Sequence, residues 1–284
     1  MTRKILVTGA TGFVGRQVVR ALSEKGMQLR LVVRAEKIAR TGLLANDYEI
    51  VVSEDLFAES SQWWAEQCDG VDIVVHLAWY AEPGKYLQSS KNMDCLAGSL
   101  NLARGAVQAG VKRLIGVGTC FEYDLPVGVL SVDTPLKPIT PYAGAKSALY
   151  LALDHWLQAH SVEFAWCRLF YLYGEGEDSR RLVPYLRSKL EKGEHVELTS
   201  GKQTRDFLDV ADAGRMIAEV ALSDQIGPVN ICSGVPITVR QLAEQIADEY
   251  GLRDLLRFGA RPDNLVDPPY IVGVTIVYQL KTEL

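Results

Sequence analysis

The sequence predicts an α/β protein with a doubly wound parallel sheet. Short apolar segments alternate with helical patterns in the first half of the chain, and these segments are rich in Val, Ile and Leu on both faces. A glycine-rich turn follows the first segment. Such composition is typical of strands buried inside a parallel sheet. The alternation implies right-handed crossovers with helices on both faces of the sheet.

Strands and helices are predicted in the following order. The strand segments are Lys4–Thr8, Leu29–Val33, Glu49–Val52, Asp72–Leu77, Arg113–Val117 and Glu163–Leu169. Two apolar stripes at helical spacing lie between them, Val14/Val18/Leu22 and Leu96/Leu100/Ala103/Val107. After Gly174 the rhythm changes, and helices are predicted over Arg180–Lys192, Val210–Leu222 and Thr238–Tyr250, where Thr238 is a plausible N-cap.

The change of rhythm predicts two parts of unequal size, each built from two separated segments. Residues 1–171 and 207–225 are expected to form the larger, cofactor-binding part. Residues 172–206 and 226–284 are expected to form a smaller substrate-binding part. A chain of 284 residues, 48% of them hydrophobic, is sufficient for such a core.

Composition excludes several classes of protein. A net charge of -5 argues against a binder of nucleic-acid phosphates. Five scattered cysteines without a C-x-x-C pair suggest reduced thiols. No apolar run reaches the roughly 18 residues of a membrane helix, and no signal peptide is recognisable. We therefore expect a cytoplasmic protein that binds neither nucleic acid nor membrane, and we predict no metal site.

The glycine-rich turn has the spacing G-x-x-G-x-x-G, and its residues are Gly9, Ala10, Thr11, Gly12, Phe13, Val14 and Gly15. A strand precedes it and an amphipathic helix follows. Gly9 permits the tight turn, Gly12 lets the backbone approach a pyrophosphate, and Gly15 allows close packing of helix and strand. The helix N-terminus presents free N–H groups to the phosphates. The loop therefore predicts dinucleotide binding.

The end of the second strand indicates which dinucleotide is bound. An acidic residue at this place would bind the ribose 2′-hydroxyl of NAD and repel a 2′-phosphate. The sequence here is Leu31-Val32-Val33-Arg34, with no carboxylate at the tip. Arg34 can pair with a 2′-phosphate, so NADP(H) is favoured over NAD. An ordinary solvated arginine is the alternative.

Tyr142 and Lys146 are four residues apart on one face of a predicted helix. The pKa of an unperturbed tyrosine is near 10, and a neighbouring ammonium is expected to lower it. The pair follows the strand Arg113–Val117 and the hydroxyl of Thr119. Thr119 can hold a substrate oxygen beside Tyr142, which suggests acid–base chemistry at a carbonyl.

With the glycine loop, these residues resemble the extended short-chain dehydrogenase/reductase family, in particular its nucleotide-sugar enzymes, which have a Rossmann-type sheet. The resemblance covers nearly the whole chain. Its further segments are Asp55-Leu56, His76-Leu77-Ala78, Asn92, Arg168–Gly174, Gln203–Phe207 and Gly227–Ile231.

The resemblance implies roles for individual residues. Thr119, Tyr142 and Lys146 would be the catalytic triad, and Tyr142 and Lys146 would also contact the cofactor. Asp55 and Leu56 would contact the adenine, and Leu77 and Ala78 would line the cofactor. The substrate, a nucleotide-diphosphate sugar, would be bound by Thr119, Cys120, Tyr171, Arg205 and Arg261. The alternative for the two arginines is a structural salt bridge, with Asp206 or Asp263 for instance.

The chain also departs from the family pattern. In the 4,6-dehydratases an Asp-Glu pair follows the catalytic Thr, whereas Cys120-Phe121 stands here and Glu122 comes one place later. The acid and base for eliminating water are therefore missing. The family often has Asn where Tyr171 stands. Some relatives use a Cys–His pair, but no histidine in the sequence is a clear partner for Cys120, which is expected to be a packing residue.

Three functions remain. The first is NADPH-dependent reduction of a 4-keto-6-deoxy nucleotide sugar. The second is a nucleotide-sugar 4-epimerase with trapped NAD, using the same triad. The third is a non-catalytic NADP-sensing regulator, which the Tyr142–Lys146 pair disfavours. In relatives the helices corresponding to Lys91–Ala109 and Tyr142–Ala159 pair two subunits, so a homodimer is expected.

Overall fold

The fold was analysed in a computed structural model that describes residues 3–41, 48–264 and 268–275. Its main feature is a seven-stranded parallel sheet in the order β11-β7-β5-β4-β1-β2-β3. The strands are β1 (Lys4–Thr8), β2 (Gln28–Val33), β3 (Glu49–Val52), β4 (Ile73–His76), β5 (Arg113–Thr119), β7 (Glu163–Leu169) and β11 (Gly227–Ile231). The predicted doubly wound α/β class is confirmed, and all six predicted strands lie in this sheet.

Helices cover both faces of the sheet. They are α1 (Phe13–Glu24), α2 (Ala35–Thr41), α3 (Ser61–Gln67), α4 (Lys91–Gln108), α5 (Pro141–Ala159) and α7 (Val210–Leu222). Ile5 and Val7 face the core formed with α1 and α7, whereas Leu6 between them faces the core of α3, α4 and α5. Alternate residues of one strand thus enter two hydrophobic cores, as expected for a sheet between two helical layers.

Smaller sheets lie beyond the carboxyl ends of the main strands. A five-stranded sheet comprises β6 (Val129–Leu130), β8 (Tyr171–Tyr173), β10 (Thr204–Asp209), β12 (Pro236–Thr238) and β14 (Tyr270–Gly273). A pair of strands, β9 (Val196–Leu198) and β13 (Leu256–Phe258), packs with α6 (Leu182–Glu191) and α8 (Val239–Tyr250). The side chain of Thr238 caps α8, as expected.

One segment boundary differs from the expectation. Residues 226–284 were assigned to the substrate-binding part, but β11 pairs with β7 along its whole length and forms the edge of the large sheet. Asn230, Ile231 and Val229 are buried there. The segment Gly227–Ile231 is only five residues long and contains a proline, which is uncommon inside a sheet, so its composition does not predict a strand. The division of the chain into two parts stays a prediction.

No helix within the described ranges is both long enough and apolar enough to span a lipid bilayer. All five cysteines are buried and free of disulfide bonds.

Candidate active site

A cavity of about 940 Å³ opens at the carboxyl ends of the parallel strands. Its walls include one residue from the end of each of six strands, Gly9, Arg34, Asp55, Ala78, Thr119 and Phe170. The strand order reverses at β1, because β2 and β3 lie on one side of it and β4 on the other. Ligands of open α/β sheets bind at such a switch point, so this cavity is the candidate active site.

The glycine loop forms one wall of the cavity and fits a dinucleotide. Gly9 has a φ of +71°, and a Cβ there would lie 2.7 Å from the backbone nitrogen of Ala78. A Cβ on Gly15 would lie 2.0 Å from the carbonyl oxygen of Gly9. Helix α1 begins after Gly12, and no side chain caps its first turn. Its N–H groups are thus left for an anionic ligand such as a pyrophosphate.

Arg34 lines the cavity, as do Asp55 and Leu56. Its Nη1 is 3.4 Å from Oε1 of Glu36, and both side chains are about half exposed. The absence of an acidic residue at the strand tip is evident from the sequence, whereas the contact between Arg34 and Glu36 is not. A 2′-phosphate at Arg34 would compete with Glu36 for the guanidinium.

The three proposed catalytic side chains all lie in the wall of this cavity, and those of Thr119 and Tyr142 are hydrogen-bonded to each other. Thr119 is the last residue of β5, and Tyr142 and Lys146 lie in the first two turns of α5. All three line the cavity. Helix α5 begins with Pro141 and is capped by the hydroxyl of Thr140, which accepts a hydrogen bond from the backbone of Ala143. This cap fixes the start of α5, and therefore Tyr142, beside the end of β5.

Burial, and not the Lys146 ammonium, has the largest effect on the pKa of Tyr142 in this structure. Burial raises the pKa of Tyr142, with smaller contributions from Tyr86 and Glu122, whereas a hydrogen bond with the Thr119 side chain lowers it. The net shift is upward. The Lys146 ammonium instead donates to the carbonyl oxygen of Val117 at 2.6 Å. Tyr142 is consequently a protonated phenol.

Lys146 is held by two neighbours. Besides its hydrogen bond to Val117, its Nζ lies 3.8 Å from the ring centroid of Trp79. The Trp79 indole N–H donates to Oδ1 of Asn92 at 2.8 Å, and Asn92 is fully buried. Burial lowers the pKa of Lys146 to about 7. The Trp79 ring, which is itself held by Asn92, positions the ammonium of Lys146 by a cation–π contact.

Cys120 and His76 are both buried. Burial raises the pKa of Cys120, so the thiol stays protonated, consistent with the expected packing role. His76 is buried, and its Nδ1 and Nε2 lie 2.7 Å from the hydroxyls of Thr8 and Ser99. Burial lowers the pKa of His76 to about 3. Cys120 lines the cavity, so its substrate-binding role stays a prediction, whereas His76 does not belong to the described cavity wall.

The two proposed diphosphate-binding arginines are outside the described wall of the cavity. The Arg205 guanidinium is buried, donates to the carbonyl of Thr204, and lies 5.3 Å from the ring centroid of Tyr171. Tyr171 itself lines the cavity, so Arg205 lies behind the wall. Arg261 donates to the hydroxyl of Tyr185 at 2.9 Å. Their substrate-binding roles stay predictions.

Further side chains that belong to no recognised motif also line the cavity, and four of them are Trp79, Tyr86, Glu177 and Arg181. The rings of Tyr86 and Tyr142 meet edge to face at 4.8 Å. Oε2 of Glu177 is buried and has no hydrogen-bond partner within the described part of the chain. Of these four, only Arg181 lies in a segment with a predicted structure, the helix Arg180–Lys192.

Comparisons with known proteins agree with this geometry. A model of the NAD dependent epimerase/dehydratase family matches residues 5–232. The dTDP-6-deoxy-L-talose 4-dehydrogenase (NAD(+)) of Aggregatibacter actinomycetemcomitans is 26% identical over 95% of this chain and 98% of its own length.

Solved structures have the same fold. The UDP-N-acetylglucosamine 4-epimerase from Methanobrevibacter ruminantium M1 superposes with a TM-score of 0.85 at 21% identity, covering 98% of this chain and 91% of its own. The dTDP-glucose 4,6-dehydratase DesIV from Streptomyces venezuelae, solved with NAD bound, gives a TM-score of 0.80 at 22% identity, covering 99% and 90%.

Proposed function

Because the chain belongs to the NAD dependent epimerase/dehydratase family of nucleotide-sugar enzymes, part of the extended short-chain dehydrogenases/reductases, we propose that it reduces the C4 keto group of a 4-keto-6-deoxy nucleotide sugar. One observation carries the proposal. Thr119, Tyr142 and Lys146 meet in the cavity that the glycine loop opens into. The two positions after Thr119 hold Cys120 and Phe121, which are not the acid and base needed to eliminate water.

The relatives support reaction at C4. The name of the Aggregatibacter protein describes a 4-dehydrogenase acting on a 6-deoxy sugar, and reduction of a 4-keto sugar is the reverse of such an oxidation. Glu122, the nearest carboxylate along the chain, is fully buried and is not part of the described cavity wall. A dehydratase reaction is therefore disfavoured.

The chain's own residues perform the proton transfer. The Thr119 hydroxyl orients the keto oxygen, and the Tyr142 phenol donates a proton to that oxygen as it gains negative charge. The raised pKa of Tyr142 keeps the phenol protonated before the reaction. Lys146, whose ammonium donates to the carbonyl oxygen of Val117, would hold the ribose of the cofactor. The nicotinamide cofactor, when bound, supplies the hydride.

We propose NADP(H) as the cofactor and NAD as the less favoured one. Arg34 at the adenosine end of the cavity can pair with a 2′-phosphate. The NAD named for the Aggregatibacter relative and bound in DesIV argues for the alternative. The Glu36 carboxylate beside Arg34 also weakens the preference for a phosphate.

A nucleotide-sugar 4-epimerase with trapped NAD is the second candidate. It is favoured by the close superposition on the Methanobrevibacter epimerase and would use the same three side chains. An epimerase performs two opposite hydride transfers and must keep its cofactor between them, whereas a reductase exchanges its cofactor at each turnover.

Cofactor consumption distinguishes these candidates. We expect the protein to purify largely free of cofactor and to oxidise NADPH stoichiometrically with a 4-keto-6-deoxy nucleotide sugar. The measurement is the loss of reduced-nicotinamide absorbance during turnover. Interconversion of two epimers without net loss of NADPH would establish the epimerase instead.

A further inference from the structure

Glu122 lies behind the catalytic threonine in a buried network of hydrogen bonds. Its side chain is fully buried, and Arg168 on β7 is 1% exposed. Oε2 accepts a hydrogen bond from Nε of Arg168 at 2.8 Å, and the indole N–H of Trp166 lies 3.0 Å and 3.1 Å from the two oxygens. Oε1 also accepts from the backbone N–H of Thr119 at 2.8 Å. Every contact is a donor, which favours an ionised carboxylate and opposes the effect of burial, the largest influence, which raises the pKa of Glu122 above its ordinary value.

The network joins several elements. Arg168 donates to the hydroxyl of Tyr123, which donates in turn to Oδ1 of Asn230 on β11 at 2.7 Å. A Cβ on Gly118 would lie 2.2 Å from both Oε1 of Glu122 and Nε1 of Trp166. Glycine at this position therefore lets the carboxylate reach across the end of β5 to Thr119.

The carboxylate determines the conformation around Thr119. Residues Cys120–Glu122 form a short 3-10 helix, and a capping box closes it. In this box Oε1 of Glu122 accepts from the Thr119 N–H, while Oγ1 of Thr119 accepts from the Phe121 N–H at 3.3 Å. The Thr119 hydroxyl therefore keeps its proton for donation to another group.

The same negative charge acts on both of the other catalytic side chains. Burial has the largest effect on the pKa of Tyr142 and raises it. The charge of Glu122 raises this pKa further, as do Tyr86 and Cys120, whereas the hydrogen bond with Thr119 lowers it. The charge of Glu122 also raises the pKa of Lys146, as does Cys95, against the lowering by burial. The groups that in turn lower the pKa of the Glu122 carboxyl are Arg168, Trp166 and the backbone N–H of Thr119.

We infer that Glu122 is a positioning residue of the active site, whose carboxylate, paired with Arg168, fixes the Thr119 hydroxyl and maintains the field around Tyr142 and Lys146. Glu122 stands one position after the place along the chain where dehydratases have their acid and base, and the buried pair that it forms with Arg168 serves orientation instead. The inference rests on the proposed chemistry at Tyr142, whether in a reductase or an epimerase.

Two variants separate geometry from charge. Glu122→Gln keeps an oxygen for the Thr119 N–H but removes the charge. We expect kcat to fall at least about tenfold, while the cofactor Kd and the KM of the sugar nucleotide stay within about threefold. The alkaline limb of the pH profile should move to lower pH, because loss of a negative charge lowers the pKa of both Tyr142 and Lys146. Glu122→Asp keeps the charge but withdraws the carboxylate, so kcat should fall without movement of that limb.

Glu163→Gln is the matched control. Arg113 and Glu163 form the ion pair at the opposite ends of the same two strands, β5 and β7, about 16 Å from Gly118 along β5. This variant should have wild-type kcat and pH profile. A lowered Tm in both Glu122 variants, with unchanged kcat per folded molecule and an unmoved limb, would make Glu122 purely structural and overturn the inference. Absence of any turnover by the wild type would count against the proposed function instead.

Discussion

The phenol of Tyr142 is the group on which the proposed proton transfer depends. Its replacement by phenylalanine retains the ring, which contacts Tyr86 and Trp79, but removes the proton donor. We expect Tyr142→Phe to bind the cofactor with nearly wild-type affinity and to lose most turnover, by about 100-fold or more. Equilibrium binding and steady-state rates on the same preparation test this. Wild-type kcat in the variant would exclude Tyr142 as the acid.

Lys146 is a buried cation that costs stability. Folding lowers its pKa from the ordinary 10.5 to about 7, so the unfolded chain holds this proton more tightly between those values. The cost is therefore full below about pH 7 and decreases as the pH rises through this window. We expect Lys146→Met to raise Tm more at pH 6 than at pH 9 while abolishing turnover. Calorimetry of both proteins at the two pH values is the measurement, and an equal change in Tm at both would contradict it.

Arg34 and Glu36, which form an ion pair, are the residues that we propose to determine the cofactor preference. NADPH should bind more tightly than NADH through a charge-assisted contact of roughly 1.5–3 kcal/mol. Arg34→Ala should erase this preference. Glu36→Gln should increase it, because the guanidinium loses a competing carboxylate at 3.4 Å. Titration calorimetry measures the affinities of the three proteins for NADPH and NADH. Equal affinities of the wild type for the two cofactors would refute the role proposed for Arg34.

Residue types with a local geometric role could be predicted from the sequence. Gly9, Gly12 and Gly15 have identifiable functions because the turn itself requires small residues. The pKa of Tyr142 could not be predicted, since it depends on how far the side chain is buried and on where Lys146 points. Arg261 shows the same limit, because its distance from the cavity is set by packing around Tyr185.

Among the helices, the contact of α3 with α4 requires a residue without a side chain. A Cβ on Gly105 would lie 2.4 Å from Cβ of Trp64 and 2.6 Å from the carbonyl oxygen of Ser61. We expect Gly105→Ala to destabilise the protein by about 1–3 kcal/mol. Gly144 in α5 is the matched control, since nothing lies within 4 Å of a Cβ built there. Gly144→Ala should stabilise by about 0.5–1 kcal/mol. Urea unfolding compares the two, and equal effects would contradict the packing argument.

Elements with a strong periodic pattern were predictable. All six predicted strands are found, and Val210–Leu222 is a helix with the predicted bounds. The strands of the smaller sheets were not identified, because several are only two to four residues long. Such strands are defined by their pairing partners rather than by an alternating sequence pattern.

At the scale of the whole molecule, α4 and α5 are expected to form the interface of a homodimer. Leu149 and Leu153 of α5 are buried in the core beneath the sheet and are not available to such an interface. The outward-facing apolar residues are Met93 on α4 and Leu151 on α5, each 52% exposed. Light scattering at micromolar concentration should give a dimer mass, and Leu151→Glu should shift it toward the monomer. A monomeric wild type would contradict the expectation.

The late position of β11 in the chain affects folding during synthesis. Its partner β7 ends at Leu169, and residues 170–226 must be made before β11 begins. At about 5–20 residues per second, the ribosome needs roughly 3–11 s for them. Throughout this interval the outer edge of β7 has no strand beside it, and an unpaired edge can associate with other chains. We therefore expect the nascent protein to be most prone to aggregation in the stage that ends when Gly227–Ile231 leaves the ribosome and completes the sheet.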